Sequence, residues 1–241
     1  MKISVVIPVH NESAEVEGCL ESLKNQLRPA DEIIVVDNNC TDDTITKARR
    51  YNIHIVNQKK QGIWPSRTAG NNAATGDIIA FADCDSRMPE EWLQKIEQTF
   101  LSDSTIIAVT GPGKFYDSNY LGNALAYYSY MVPYFLLVGS ALGTRPLFAS
   151  NAAMRASAWK NVRNEVHNDS DAVHDDIDLT YHLLCQGKIY YDKNNPVLIS
   201  TRPFKHPLLL IKRYSKALHT LRLHWPKQSP RKIYEQKLRQ R

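Results

Sequence analysis

Asp83 and Asp85 are the residues of this chain best suited to chemistry. They close the apolar run Asp77-Ile-Ile-Ala-Phe-Ala-Asp83-Cys84-Asp85. Residues i and i+2 of a strand share a side, so two carboxylates spaced this way at a strand end converge on one hard cation. Oxygen-rich acidic sites suit Mg²⁺ or Mn²⁺, which in turn hold phosphates. The pair therefore reads as a metal and diphosphate site, with an ordinary Asp-rich turn as the competing reading. Further polar clusters decide between them. Pro8-Val9-His10-Asn11-Glu12 and Asp37-Asn38-Asn39-Cys40-Thr41-Asp42 each follow an apolar run, and Asp175, Asp176 and Asp178 open a later helix-like segment.

The elements around these clusters alternate. Residues 3–7, 32–36, 53–56 and 77–82 are strand-like, while 14–27, 41–50, 65–74 and 89–100 have helical character. Val16, Leu20, Leu23 and Leu27 fall on one helical face. Alternating strands and helices predict a mostly parallel α/β sheet with helices on both faces, and such sheets bind ligands beyond the carboxyl ends of their strands. The three early clusters all lie at that rim. No Gly-x-Gly-x-x-Gly and no Gly-x-x-x-x-Gly-Lys-Ser/Thr is present, which disfavours dinucleotide and P-loop readings. Residues 121–142 are apolar and aromatic but contain Asn123, Pro133 and Gly139. A buried or interfacial helix is expected there in preference to a membrane span. The helix opening at Asp175 is expected to end at Gly187 as a C-cap.

The chain has 241 residues, 43% hydrophobic, enough for one α/β domain with a sizeable core. The four cysteines (Cys19, Cys40, Cys84, Cys185) form no Cys-x-x-Cys pair, which argues against structural zinc and a disulfide scaffold and fits a reducing compartment. The apolar stretch after Met1 is too short for a signal peptide, and a cytoplasmic location is expected. Residues 202–241 hold 12 Lys and Arg against one acid, Glu235, whereas residues 1–201 hold 18 against 24. A basic extension on an acidic body suggests a polyanionic surface as partner. Leu208 to Ile211 and Tyr214, Trp225 and Tyr234 lie among the basic residues. That mixture suits an amphipathic helix at an anionic membrane, the competing reading being a solvated helical face. No nucleic-acid-binding module is recognisable.

Four blocks in order, Ser4 to Glu12, Glu32 to Asp42, Asp77 to Asp85 and His174 to Leu179, resemble the family 2 glycosyltransferases of the GT-A fold over roughly residues 1–200. The resemblance implies a nucleotide-sugar-dependent, inverting transferase with a Rossmann-like catalytic domain, residues 1–201, followed by the extension 202–241. It places Pro8, Val9, Asn11, Glu12, Asp37, Arg67, Asp83 and Cys84 around the nucleotide sugar. Metal binding falls on Asp85 with Asp83, and some GT-A enzymes recruit a late His, here His206, whose other reading is a surface group. Arg67 sits in Gly62-Ile-Trp-Pro65-Ser-Arg67-Thr-Ala-Gly-Asn71, where the family's Arg-Asn pair is split and a proline is inserted. The family's general base falls on Asp176. A carboxylate there suits the chemistry, since an inverting transfer needs one base to take the acceptor hydroxyl's proton. Asp175, Asn151 and Arg155 are assigned to the acceptor side, with packing as the competing role for Trp64, and Asp178 is read as a helix N-terminal acid.

The expected activity is transfer of a sugar from a nucleoside diphosphate, UDP preferred over GDP or dTDP, to a hydroxyl of a lipid-linked or cell-envelope glycan. Mg²⁺ or Mn²⁺ is the expected cofactor. The location is the cytoplasm or the inner face of the plasma membrane, and nucleic acid is not an expected partner. A catalytically silent GT-A module that binds nucleotide or glycan, or scaffolds a membrane complex, is the alternative. A nucleotidyltransferase would need a Gly-rich basic loop after the first strand, which this sequence lacks.

Overall fold

Runs rich in β-branched residues form the first strands, and helices cover both faces of the sheet they build. The computed structural model describes residues 1–205, 207–225, 229 and 231–232. In chain order the first elements are β1 (Ile3–Val9), α1 (Val16–Lys24), β2 (Glu32–Asp37), α2 (Thr44–Ala48), β3 (His54–Asn57) and α3 (Ile63–Ala73). They continue as β4 (Ile78–Phe81), α4 (Trp92–Ser102), β5 (Ile106–Thr110) and β6 (Gly113–Phe115). A 23-residue helix, Tyr120–Leu142, begins as α5 (Tyr120–Ala126) and ends as α6 (Gly139–Leu142). The described elements finish with β7 (Ala152–Arg155), α7 (Ala156–Val162), α8 (Asp175–Leu183), β8 (Lys188–Tyr191), β9 (Val197–Ile199) and α9 (Pro207–His224).

Seven strands form the main sheet in the order β3-β2-β1-β4-β7-β5-β8, and β6 pairs with β9 in a smaller one. The pairs β1–β2, β1–β4, β2–β3 and β5–β8 are parallel, and β7 runs antiparallel to β4 and β5. The expected mostly parallel α/β sheet is therefore present, and its strand order reverses beside β1. Ligand crevices open at such switch points. Side chains alternate between two buried layers. Val5 and Ile7 pack with Leu20, Leu23, Trp92 and Ile96, while Val6 packs with Ile34, Val36, Trp64 and Phe81. Helix α3 lies tight on the second face: a Cβ on Gly70 would stand 2.3 Å from Val6 Cγ1 and 2.8 Å from Val36 Cγ2. That close approach carries Arg67, one turn earlier, to the rim.

Several expected boundaries move. Asp42 does not open a helix; its Oδ1 accepts from the Thr44 amide at 3.1 Å, and α2 starts only at Thr44. Gly187 is not a left-handed cap. Positive φ among glycines occurs at Gly62 and Gly143, and a Cβ on Gly187 would lie 2.7 Å from Ile107 Cγ2 and 2.8 Å from the Thr105 carbonyl. Close packing explains that residue.

The apolar segment forms one continuous helix, long and apolar enough by length and composition to cross a membrane, with 33% of its most apolar window buried. Met131, Phe135 and Leu142 face the protein; Leu121, Leu125, Tyr128, Leu136 and Leu137 are exposed. Two five-residue π-helical stretches, Tyr127–Met131 and Tyr134–Val138, flank Pro133. Proline has no N–H to donate to the carbonyl four residues earlier, which is that of Ser129. The Tyr214 hydroxyl of α9 donates to that carbonyl at 3.4 Å.

Candidate functional site

Three strand ends and one helix start meet at the rim. Val9 at the end of β1 is level with Asp37 at the end of β2. Phe81 at the end of β4 is level with Val6, and the Ala82 amide still donates to the Val6 carbonyl at 3.2 Å. The chain then rises through Asp83, Cys84 and Asp85. Facing it, α8 begins with Asp175 and Asp176 in its first turn, where the helix dipole favours negative charge.

Arg67 joins the two sides. Its Nη2 donates to Asp83 Oδ1 at 2.6 Å, and its Nη1 donates to Asp175 Oδ2 and, at 3.1 Å, to Asp176 Oδ1. The Ser150 hydroxyl donates to the other Asp83 oxygen, and the Ala149 amide donates to Asp176 Oδ2 at 3.2 Å. One buried guanidinium thus holds three carboxylates from two distant segments. Burial alone would lower its pKa, but Asp175, Asp83 and Asp176 together raise it.

The adjacent acids are split by this arrangement. Burial raises both, yet for Asp175 the Arg67 charge and then His174 prevail and its carboxyl is lowered. For Asp176, burial and the Asp175 charge outweigh Arg67, and its carboxyl is raised. Asp176 is therefore the member of the pair that exchanges a proton nearer neutral pH, as a general base should. His174 beside them is buried and pushed down to about 4, mainly by burial, so it stays neutral.

Asp85 has a different environment. Burial, followed by the charge of Asp83, pushes its carboxyl up to about 6, opposed by Arg202. Arg202 Nη2 lies 3.0 Å from Asp85 Oδ2, and its Nη1 donates to Glu12 Oε2 at 2.6 Å. The donor set fits a hard divalent cation. A buried carboxylate carrying an unfavourable charge gains from a cation, and carboxylate oxygen is the ligand Mg²⁺ and Mn²⁺ prefer. Both Asp83 oxygens already accept from Arg67 and Ser150, so Asp85 is the first claimant and Asp83 the second.

At the ends of β1 and β2, Asp37 Oδ1 accepts from the Cys40 amide at 2.9 Å. Asn11 takes a left-handed φ of 54° and its Oδ1 accepts from the Thr41 amide at 2.8 Å. Asn38 is buried and tethers the following loop through the Gln58 and Lys60 carbonyls, each at 2.8 Å. These bonds shape the two rim loops against each other. Pro8 and Val9 are buried strand residues, and the Cys84 side chain packs in the core. Among these three, contact with a ligand is left to the backbone.

Two residues expected on the acceptor side, Arg155 and Asn151, have their side chains tied into the fold. Arg155 pairs with Ile78 at the start of β4, the end of the sheet opposite the rim. There it donates to the Ile106 and Phe100 carbonyls at 2.8 and 3.0 Å. Asn151 is a buried tie: it accepts from Trp92 Nε1 at 2.8 Å and donates to the Pro112 and Asn195 carbonyls at 3.0 and 2.7 Å. Trp64 packs against Trp159, with ring centroids 6.1 Å apart. His206 lies outside the described residues.

Sequence reading missed Ser150 and Arg202. Ser150 gave no signal beyond its place beside Asn151. Arg202 was counted only as the first charge of the basic extension. Helix α9 of that extension is docked: Thr220 is fully buried, and its hydroxyl accepts from the His174 amide at 2.8 Å. Arg213 donates to the Tyr130 hydroxyl at 3.2 Å. Asp178, read as a helix N-terminal acid, does lie in the first turn of α8 and is also fully buried and bonded to His167, His224 and Trp64.

Comparison with known proteins agrees with this architecture. Residues 4–162 match the family model described as Glycosyl transferase family 2. Glycosyltransferase AglE of Haloferax volcanii is 34% identical over 101 residues, 39% of this chain and 33% of that protein. The dolichol-phosphate mannosyltransferase of Pyrococcus furiosus is 30% identical over 112 residues, 44% of this chain and 32% of that protein. The matches thus span about a third of the length of these relatives. Among solved structures, mannosyltransferase PcManGT from Pyrobaculum calidifontis with GDP-Man and Mn²⁺ aligns with a TM-score of 0.67 at 18% identity, over 90% of this chain and 64% of that one. S. aureus TarS 1-349 with UDP-GlcNAc aligns with a TM-score of 0.65 at 16% identity, over 94% and 73%. At these identities the structural likeness shows the fold.

Proposed function

Because the chain belongs to glycosyltransferase family 2, we propose that it moves a sugar from a UDP-sugar to a hydroxyl of a lipid-linked or cell-envelope glycan, with inversion. The observation that carries this reading is the Arg67 network. It brings Asp176 to the same rim as Asp83, with its proton affinity raised, while Asp175 beside it stays ionised.

In this reading the acceptor oxygen attacks the anomeric carbon from the face opposite the diphosphate. The bond from that carbon to the diphosphate oxygen breaks, and the hydroxyl proton passes to the Asp176 carboxylate. Arg67 and the Ala149 amide orient that carboxylate. Ser150 and Arg67 fix Asp83 toward the nucleotide. Asp37, Asn11 and Glu12 shape the base and ribose side. Asp85, with Asp83, would hold Mg²⁺ or Mn²⁺, whose charge offsets that of the leaving diphosphate.

Residues 1–201 supply this machinery in our reading, and residues 202–241 are an appended basic segment that meets an anionic membrane at the cytoplasmic face. Leu208, Ile211, Tyr214 and Leu218 of α9 are exposed beside the basic Lys212 and Arg222. Apolar residues with flanking positive charge suit a membrane interface. The direct test is release of nucleoside diphosphate from a panel of UDP-, GDP- and dTDP-sugars with Mn²⁺, Mg²⁺ or EDTA. Turnover of a UDP-sugar that needs metal and is lost in Asp85→Asn supports the assignment. Turnover undiminished in Asp85→Asn, or a preference for another nucleotide, contradicts it in the corresponding part. Binding to anionic but not neutral vesicles, lost on Leu208→Asp with Ile211→Asp, tests the membrane contact.

A further inference from the structure

His167, Asp178, His182 and His224 bring one ligand atom each to within 4.8 Å of one another. They come from the loop before α8, from α8 itself and from the last residue of α9. Asp178 and His182 are one helical turn apart and so share a face of α8. The Asp178 carboxylate meets the three histidines and Trp64, so the cluster is separate from the Arg67 network.

We propose that these four side chains form a structural binding site for one Zn²⁺ per chain, which fastens α9 to the catalytic domain. The ligand atoms are His167 Nδ1, Asp178 Oδ1, His182 Nε2 and His224 Nε2. Zinc takes imidazole nitrogen and carboxylate oxygen at about 2.0–2.2 Å in tetrahedral array, and structural sites use four protein ligands. That bond length sets the edges of the tetrahedron at roughly 3.3–3.6 Å. The atoms surround this size: Asp178 Oδ1 lies 2.8 Å from His167 Nδ1, 2.8 Å from His224 Nε2 and 3.6 Å from His182 Nε2.

The independent observation is His182. Its Nε2 is buried and has no hydrogen-bond partner, although it is aimed at the Asp178 carboxylate. Burying such an atom unpaired is costly, and a metal bond satisfies it. The outer ring nitrogen faces a carboxylate, His182 Nδ1 lying 3.6 Å from Glu165 Oε2, within ion-pair but not hydrogen-bond distance. Metal-bound imidazoles commonly direct their second nitrogen to a carboxylate. His224 is further held by stacking on Tyr181, with centroids 4.3 Å apart. The ligands are mostly imidazole, which suits zinc better than the oxygen-seeking Mg²⁺ or Mn²⁺ expected at Asp85.

The experiment uses the full chain purified without a histidine tag, stripped with EDTA and returned to stoichiometric Zn²⁺ or Co²⁺. The wild type is expected to retain one zinc per chain after gel filtration and to melt at a higher temperature with zinc. Cobalt should give the intense visible bands of a tetrahedral site. His182→Gln and His224→Gln, each checked by circular dichroism for an intact fold, should weaken zinc binding by more than about 100-fold, beyond the loss typical of an outer partner. Asp85→Asn should leave zinc binding unchanged, which separates this site from the proposed catalytic metal. Zinc uptake below about 0.2 per chain in the folded wild type, or uptake equal in wild type and both histidine variants, overturns the proposal.

Discussion

Arg67→Met removes the charge that holds the rim together while keeping a long apolar side chain. Arg67 is buried, and its guanidinium bonds Asp83, Asp175 and Asp176. Breaking a buried ion pair by removing one partner costs about 3–5 kcal/mol. Protonation of the orphaned acids relieves part of this, so the lower figure, about 3 kcal/mol at pH 8, is expected. For a chain of this size each kcal/mol shifts Tm by about 2–4 °C, giving a fall of roughly 6–12 °C. The pH dependence carries the sharper signature. In the wild type Asp175 is lowered, so its stabilisation is present above the ordinary carboxylate pKa and is lost as pH falls through the folded value. Asp176 is raised, so stability is lost as pH climbs through its folded value. Without Arg67 the carboxyls of Asp175 and Asp176 lose the charge that opposes burial and are pushed up, and the folded state holds protons that the unfolded chain has released. The variant should therefore gain stability, relative to wild type, as pH falls from 8 to 5. Calorimetry in EDTA at pH 5, 6.5 and 8 measures this directly. A variant within 2 °C of wild type at pH 8 (about the effect of 1 kcal/mol or less), or a deficit that does not narrow toward pH 5, would refute the charge network.

Two further outcomes follow from the same electrostatics. The acid limb of kcat/KM should lie above the ordinary aspartate value of about 3.9, because Asp176 must be deprotonated to act and its carboxyl is raised by burial and by Asp175; a limb at or below that value contradicts its role. Arg202→Gln removes the ion-pair partner of Asp85 and should push that carboxyl above its present value of about 6. Metal-free stability should then fall more steeply with rising pH than in the wild type, and an unchanged slope would show that Arg202 does not set the charge on Asp85.

The first half of the fold was legible because each element there states its own period. Ile3 to Val9 and Glu32 to Asp37 are β-branched runs closing in polar residues, and Val16, Leu20 and Leu23 mark one helical face. Arg67 was readable in spite of the inserted Pro65, since Pro65 sits in the first turn of α3, where its missing N–H costs nothing. Legibility fell where tertiary direction decides. Strand β7 runs antiparallel to its neighbours, so residues after Asn151 move away from the rim, and Arg155 ends at its far side. Asp178 resembles any first-turn acid in sequence. Its carboxylate meets His167 and His182 from its own neighbourhood and His224, which the folding of α9 onto α8 brings in. The exposed face of Tyr120–Leu142 was equally hidden, because an apolar run does not state which side meets protein.

The most direct measurement is single-turnover transfer by Asp176→Asn beside donor affinity in the same protein. The amide keeps the shape and loses the proton acceptor. General-base catalysis contributes about 10²–10⁴-fold, so the transfer rate should fall by that factor, while affinity for the nucleotide sugar changes less than about threefold, under 1 kcal/mol. A transfer rate within tenfold of wild type, with donor binding intact, would contradict the assignment of Asp176 as the base and with it the central claim.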